Sequence, residues 1–218
     1  MRRELLYITT IAVGLFVSAE YAQWPVDIWC IGTFLYLYVT TDRKERIEML
    51  AVLAFATPME LFFSEVWLIY EYQRGLMPLF VPVGHYFLFD LGRRVAKKIP
   101  HSSPIYLILA LLPFVLYGAV KGTDTSAVLL LILTFGFIRW GPEPRLYAAM
   151  VWLALAMELW GTYLGNWTWA STVPFTGLTA WNPPLLVGAF YCFGDLLVNL
   201  SVAKFEGQPM AEVNHDVL

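Results

Sequence analysis

Four carboxylates stand where apolar side chains would be expected: Glu60 in TPMELFF, Asp90 in HYFLFDLG, Glu158 in LALAMELWG and Asp195 in YCFGDLLV. An ionised carboxylate among hydrocarbon is costly, so such a group is protonated, paired, or turned toward a cavity. A carboxylic acid kept neutral by desolvation, with a second carboxylate nearby, can act as a general acid toward an alkene or an epoxide. The four are also spaced in pairs. Met59-Glu60-Leu61 recurs as Met157-Glu158-Leu159, 98 residues on, and Pro78, Tyr86 and Asp90 recur as Pro183, Tyr191 and Asp195, 105 residues on.

The elements that must position these groups follow from composition. With 59% hydrophobic and 14% charged residues, and a mean hydropathy of +0.61, the chain is too apolar for an ordinary soluble domain. Apolar runs at 5–20, 27–41, 48–68, 79–92, 104–120, 126–139, 146–164 and 183–203 predict an all-α, polytopic membrane bundle of about eight transmembrane helices, or seven with one re-entrant segment. With the N-terminus cytoplasmic, all fourteen basic residues except Arg74 and Lys121 fall on the inner side, so both termini are expected in the cytoplasm. Residues 1–19 also fit a signal peptide, and the uncleaved first span is the favoured reading. The paired motifs predict two parallel four-helix repeats, residues 1–100 and 101–204, followed by a short disordered cytoplasmic tail, 205–218.

Depth sharpens the four positions. Counted along their helices, Glu60 and Glu158 lie about 18 Å from the cytoplasmic ends, and Asp90 and Asp195 about 17 Å from the outer ends, so all four approach the midplane. They are expected to share one cavity, although interhelical hydrogen bonding alone is the competing explanation. Ser64, one turn after Glu60, is expected on the same polar wall, whereas Glu65 is turned away. Tyr and Trp crowd the outer ends. Most fit an interfacial belt, including Tyr70 and Tyr72, but Trp160, Trp167, Trp169, Tyr86 and Tyr191 are candidates to line the cavity, under a lid formed by the 165–182 loop. His85 is the one histidine well inside a span, either packed and hydrogen-bonded or joined to Glu60 or Asp90. Cys30 and Cys192 form no metal or disulfide motif, and phosphate-binding, hydrolase and nucleic-acid signatures are missing, so neither a cofactor nor a nucleic-acid partner is expected.

A small, wholly membrane-embedded chain with Glu60 in an early helix and Asp195 near the end resembles the membrane-bound terpene cyclases of meroterpenoid pathways. The stretch ELWGTYLGNWTWASTVP is similar to the membrane carotenoid cyclases and hydratases. The first resemblance implies that Glu60 and Asp195 are the acid and its partner, and the second that Glu158 protonates a polyene. The expected function is thus cyclisation, isomerisation or hydration of an apolar isoprenoid or other lipid drawn from the bilayer. The alternatives are a proton-coupled transporter, for which midplane carboxylates in repeats also serve, and a non-catalytic membrane scaffold. Oligomeric state is left open.

Overall fold

The computed structural model describes residues 3–206, so most of the expected disordered tail lies outside the described residues. The chain is all-α apart from two three-residue strands. Helices α1 (Arg3–Glu20), α2 (Trp24–Thr40) and α3 (Arg43–Leu61) lead through a π-helical turn, Phe62–Val66, into strand β1 (Tyr70–Tyr72). Helices α4 (Phe80–Ala96), α5 (Pro104–Leu109), α6 (Leu112–Lys121), α7 (Ser126–Trp140) and α8 (Pro144–Tyr163) follow. Strand β2 (Trp167–Trp169) and helix α9 (Gly188–Glu206) complete the described chain.

Local chemistry sets several of these boundaries. Asp42 caps α3 by accepting the Glu45 N–H at 2.9 Å. Asp27, from α2, accepts the Phe80 N–H at 2.8 Å and so fixes where α4 begins. Pro113, with no N–H to give, falls at the start of α6 and divides what would be one rod into α5 and α6. Fully buried Asp124 accepts from Ser126 Oγ at 2.8 Å and from Leu185 N at 3.0 Å, pinning the start of α7 to the approach of α9.

Four helices make the centre. α3 packs against α4 and α9, and α8 packs against the same two helices, with α1 and α2 on one flank and α5 to α7 on the other. The backbones of α8 and α9 approach closely, so that a Cβ on Gly188 would overlap the backbone of Val151. At one end of the bundle, which carries Arg43, Arg93, Arg94 and Lys97, partly buried polar groups pair off. Arg3 and Thr41 bind Glu45, Arg93 binds Glu48, and Tyr86 Oη donates to Glu45 at 2.6 Å. At the opposite end β1 and β2 pair antiparallel, Tyr70 with Trp169 and Tyr72 with Trp167.

Two helices, Arg43–Val66 and Pro104–Lys121, are long and apolar enough to cross a membrane, and Ser126–Trp140 is apolar but shorter. The apolar run expected to begin at 183 becomes helical only at Gly188, because Pro183 and Pro184 interrupt the backbone donors before it.

Candidate active site

Glu60 lies at the end of α3 and Glu158 in the last turns of α8, and each is gripped by the strand that follows. Tyr72 Oη donates to Glu60 Oε2 at 2.5 Å, and Tyr70 Oη donates to the same oxygen. Trp167 Nε1 and Trp169 Nε1 donate to Glu158 Oε2 at 2.7 and 2.9 Å. In both strands the two ligands are two residues apart, so the pleat turns them to one side while Glu71 and Thr168 point out. A third ligand comes from the next inner helix. His85 Nε2 lies 3.1 Å from Glu60 Oε1, Tyr191 Oη donates to Glu158 Oε1 at 3.2 Å, and the two rings stack on one another with centroids 5.4 Å apart.

The spacing of these ligands carries a structural detail. From Glu60 to Tyr70 is ten residues and from Glu158 to Trp167 is nine, and the extra residue is the one that the π turn at Phe62–Val66 takes up. His85 and Tyr191 are 106 residues apart, one more than the sequence motif implies. Along α4 and α9 the cavity-lining positions keep this register, with Val81, Gly84, Leu88 and Phe89 matching Val187, Phe190, Gly194 and Asp195.

That single residue corrects the expectation for Asp90 and Tyr86. Asp195 corresponds in space to Phe89, and Asp90, about 100° further round its helix, faces away from the cavity. It accepts from Tyr7 Oη and Arg94 Nε, both at 2.9 Å, in the polar cluster at the basic end. Tyr86 is held by Glu45 in the same cluster. Trp160 also leaves the site: the residue is 37% exposed and its Nε1 donates to the Ala12 carbonyl at 3.0 Å. The expected lid is only partly a lid. Trp167 and Trp169 wall the cavity, but the rest of the loop clasps the α6–α7 turn, with Trp181 Nε1 on Thr123 Oγ1 at 2.9 Å. The Ser64 hydroxyl lies 2.9 Å from the Glu60 main-chain carbonyl and 3.0 Å from Glu65 Oε1, the two acceptors open to its one proton, and not against the Glu60 carboxylate.

Glu60, Glu158 and Asp195 all line one cavity of about 130 Å³, together with His85, Tyr191, Tyr70, Tyr72, Trp167 and Trp169, and the remaining wall is almost wholly apolar. Asp195 is 5% exposed, and its Oδ2 has no hydrogen-bond partner among the described residues.

Hydrogen-bond inventory fixes where protons can be. An indole N–H only donates, so Glu158 Oε2, facing two of them, carries no proton. A protonated Glu158 therefore holds its proton on Oε1, beside Tyr191. His85 Nδ1 lies 2.9 Å from the Val81 carbonyl, an acceptor only, so the ring is protonated at Nδ1. The contact between Nε2 and Glu60 Oε1 then holds one shared proton, on the histidine as an ion pair or on the carboxyl. Burial, and after it the charge of Glu60, raises the Tyr70 and Tyr72 phenols well above their ordinary value, so both remain donors.

Sequence reasoning missed Tyr70 and Tyr72 as ligands. Their signal was present: an aromatic pair at i and i+2, nine to twelve residues after a buried Glu, occurs twice in the chain. No family model, curated protein or solved structure matches this chain.

Proposed function

We propose that this chain is a multi-pass membrane enzyme that protonates an apolar, isoprenoid-type lipid, with Glu158 as the acid. The observation that carries the reading is the set of donor-only indoles on Glu158 Oε2, which leaves Oε1 as the proton-bearing atom at the edge of an aromatic-walled apolar cavity. In the proposed step the Glu158 O–H bond breaks, a C–H bond forms at one alkene carbon, and positive charge develops on the other. The faces of Trp and Tyr in the wall favour that charge. Attack by a second alkene closes a ring, or the cation rearranges. Loss of a proton from the adjoining carbon then restores an alkene without net change in protons. Glu60 suits the accepting role, because two phenols and His85 stabilise its charged form. Asp195, whose buried Oδ2 has no hydrogen-bond partner among the described residues, lines the same cavity.

The membrane setting is part of the proposal. It is supported by the apolar side chains that α1, α2, α6 and α7 expose outward, among them Phe16, Ile28, Val39, Phe114, Val120 and Ile132, while the carboxylates lie inside. The matched contacts of α3 and α4 with α9 and α8 support an origin in two four-helix repeats.

The test is conversion. Purified protein in lipid vesicles is incubated with a non-saponifiable lipid extract, and the products are followed by mass spectrometry. An isomer of one component is expected, and Glu158→Gln should lower its rate by about 100-fold or more while leaving the fold intact. A copurifying polar solute and no converted lipid would instead favour the transporter reading.

A further inference from the structure

A second cavity, of about 210 Å³, lies beyond the first, and the two share Trp169 and Phe190 as common wall. Trp67, Leu130, Leu133, Val173 and Leu178 form much of the rest. Its polar side chains are Ser126 and Thr176, and both hydroxyls are already spent, Ser126 on Asp124 at 2.8 Å and Thr176 on the Val173 carbonyl at 3.0 Å. An occupant would therefore find neither charge nor a free side-chain donor, and only hydrocarbon fits without loss of hydrogen bonds. Leu129 and Leu133 are half exposed on the outer side of α7, so the cavity adjoins the apolar exterior.

The partition is itself built into the acid site. Phe190 immediately precedes Tyr191, which binds Glu158, and its ring packs on Phe63 of the first cavity at 5.1 Å. Trp169 presents one edge to Glu158 and also borders the second cavity. We infer that the second cavity receives the unreacting tail of a long linear lipid whose alkene end lies in the carboxylate pocket, with Phe190 and Trp169, the wall that separates the two, parting as the doorway between them. The inference rests on the proposed enzyme reading and adds chain length as the property that the protein selects. The same walls would also accept an acyl chain of a bilayer lipid, and the experiment separates the two sources.

Radiolabelled geraniol and geranylgeraniol serve as the short and long probes, bound to the full chain in phosphatidylcholine nanodiscs. The long alcohol should bind at least about tenfold tighter than the short one after correction for partition into empty nanodiscs. Ala180→Phe and Ala170→Phe each place a ring in the second cavity, and should remove that preference by weakening the long probe while leaving the short one unchanged. A preference that persists in both variants overturns the inference, because the long chain then lies elsewhere and bilayer lipid fills the second cavity. If both variants also lose the short probe, Phe190→Ala decides: widening the doorway should strengthen the long probe relative to the short one, and no change overturns the inference. Failure of the wild-type protein to bind either alcohol overturns the enzyme reading with it, whereas a retained preference in the filled variants overturns the inference alone.

Discussion

At Glu158 two indoles hold one carboxyl oxygen, and at Glu60 two phenols do the same, so the two acids differ by the chemistry of their partners rather than by their own. Trp169→Phe keeps an aromatic wall but removes a donor that fixes which oxygen carries the proton. Turnover should fall by about tenfold with little change in stability, roughly the value of one hydrogen bond to a charged or polarised group. Gly161→Ala acts on the other indole. The Trp167 ring lies directly over the Gly161 Cα, with no room for a methyl group. The substitution should cost about 1–3 kcal/mol of stability, read as a lowered unfolding temperature in detergent, and should also depress activity by moving Trp167. The carboxylates were legible in the sequence because a charged residue in an apolar helix demands a reason. Of their partners, Trp167, Trp169, Tyr191 and His85 were among the candidates, but Tyr70 and Tyr72 were not, because Tyr near a helix end is equally expected of an interfacial belt and only the i, i+2 pairing distinguishes it.

Element positions depend on counts of one residue. The π turn after α3 lets Tyr70 and Tyr72 reach Glu60 with the geometry that Trp167 and Trp169 have at Glu158, although the intervening segment is a residue longer. The helices themselves were readable from apolar runs, and their limits follow from caps and prolines such as Asp42 and Pro113. What the runs could not give was rotation. Pairing Asp90 with Asp195 by sequence identity is off by one position, and one position on a helix is about 100°, enough to move a side chain from the cavity to a different polar cluster. Asp90→Asn should therefore lower stability by about 1 kcal/mol, through weakened contacts with Tyr7 and Arg94, and leave turnover unchanged. The same substitution at Asp195 should abolish turnover and spare stability. Equal activity losses at both positions would show that the register drawn from α4 and α9 is wrong.

Across the described residues, many large apolar side chains are exposed on the outer helices, while Glu158 and Asp195 are buried at the centre. The basic cluster around Arg43, Arg93 and Lys97 at one end, against the paired strands at the other, sets the expected orientation. With Cys30 and Cys192 buried, a cysteine introduced at exposed Thr172 should react with an impermeant maleimide on intact cells, and one at exposed Lys97 should react only after lysis. Composition alone made the apolar exterior legible. That Glu60, Glu158 and Asp195 would share an aromatic-walled cavity was legible too, but its full lining, drawn from α1 to α4, both strands, α8 and α9, meets only in the folded chain. The most direct measurement of the central claim is isotope transfer from solvent through Glu158. Vesicles carrying the protein are exchanged into D2O, incubated with the lipid that it converts, and the product mass is compared with that formed in H2O. A product carrying one carbon-bound deuterium, with its formation lost in Glu158→Gln, is the expected result. A product formed at the wild-type rate by that variant, or one that gains no deuterium, would contradict protonation of the substrate by this carboxylic acid.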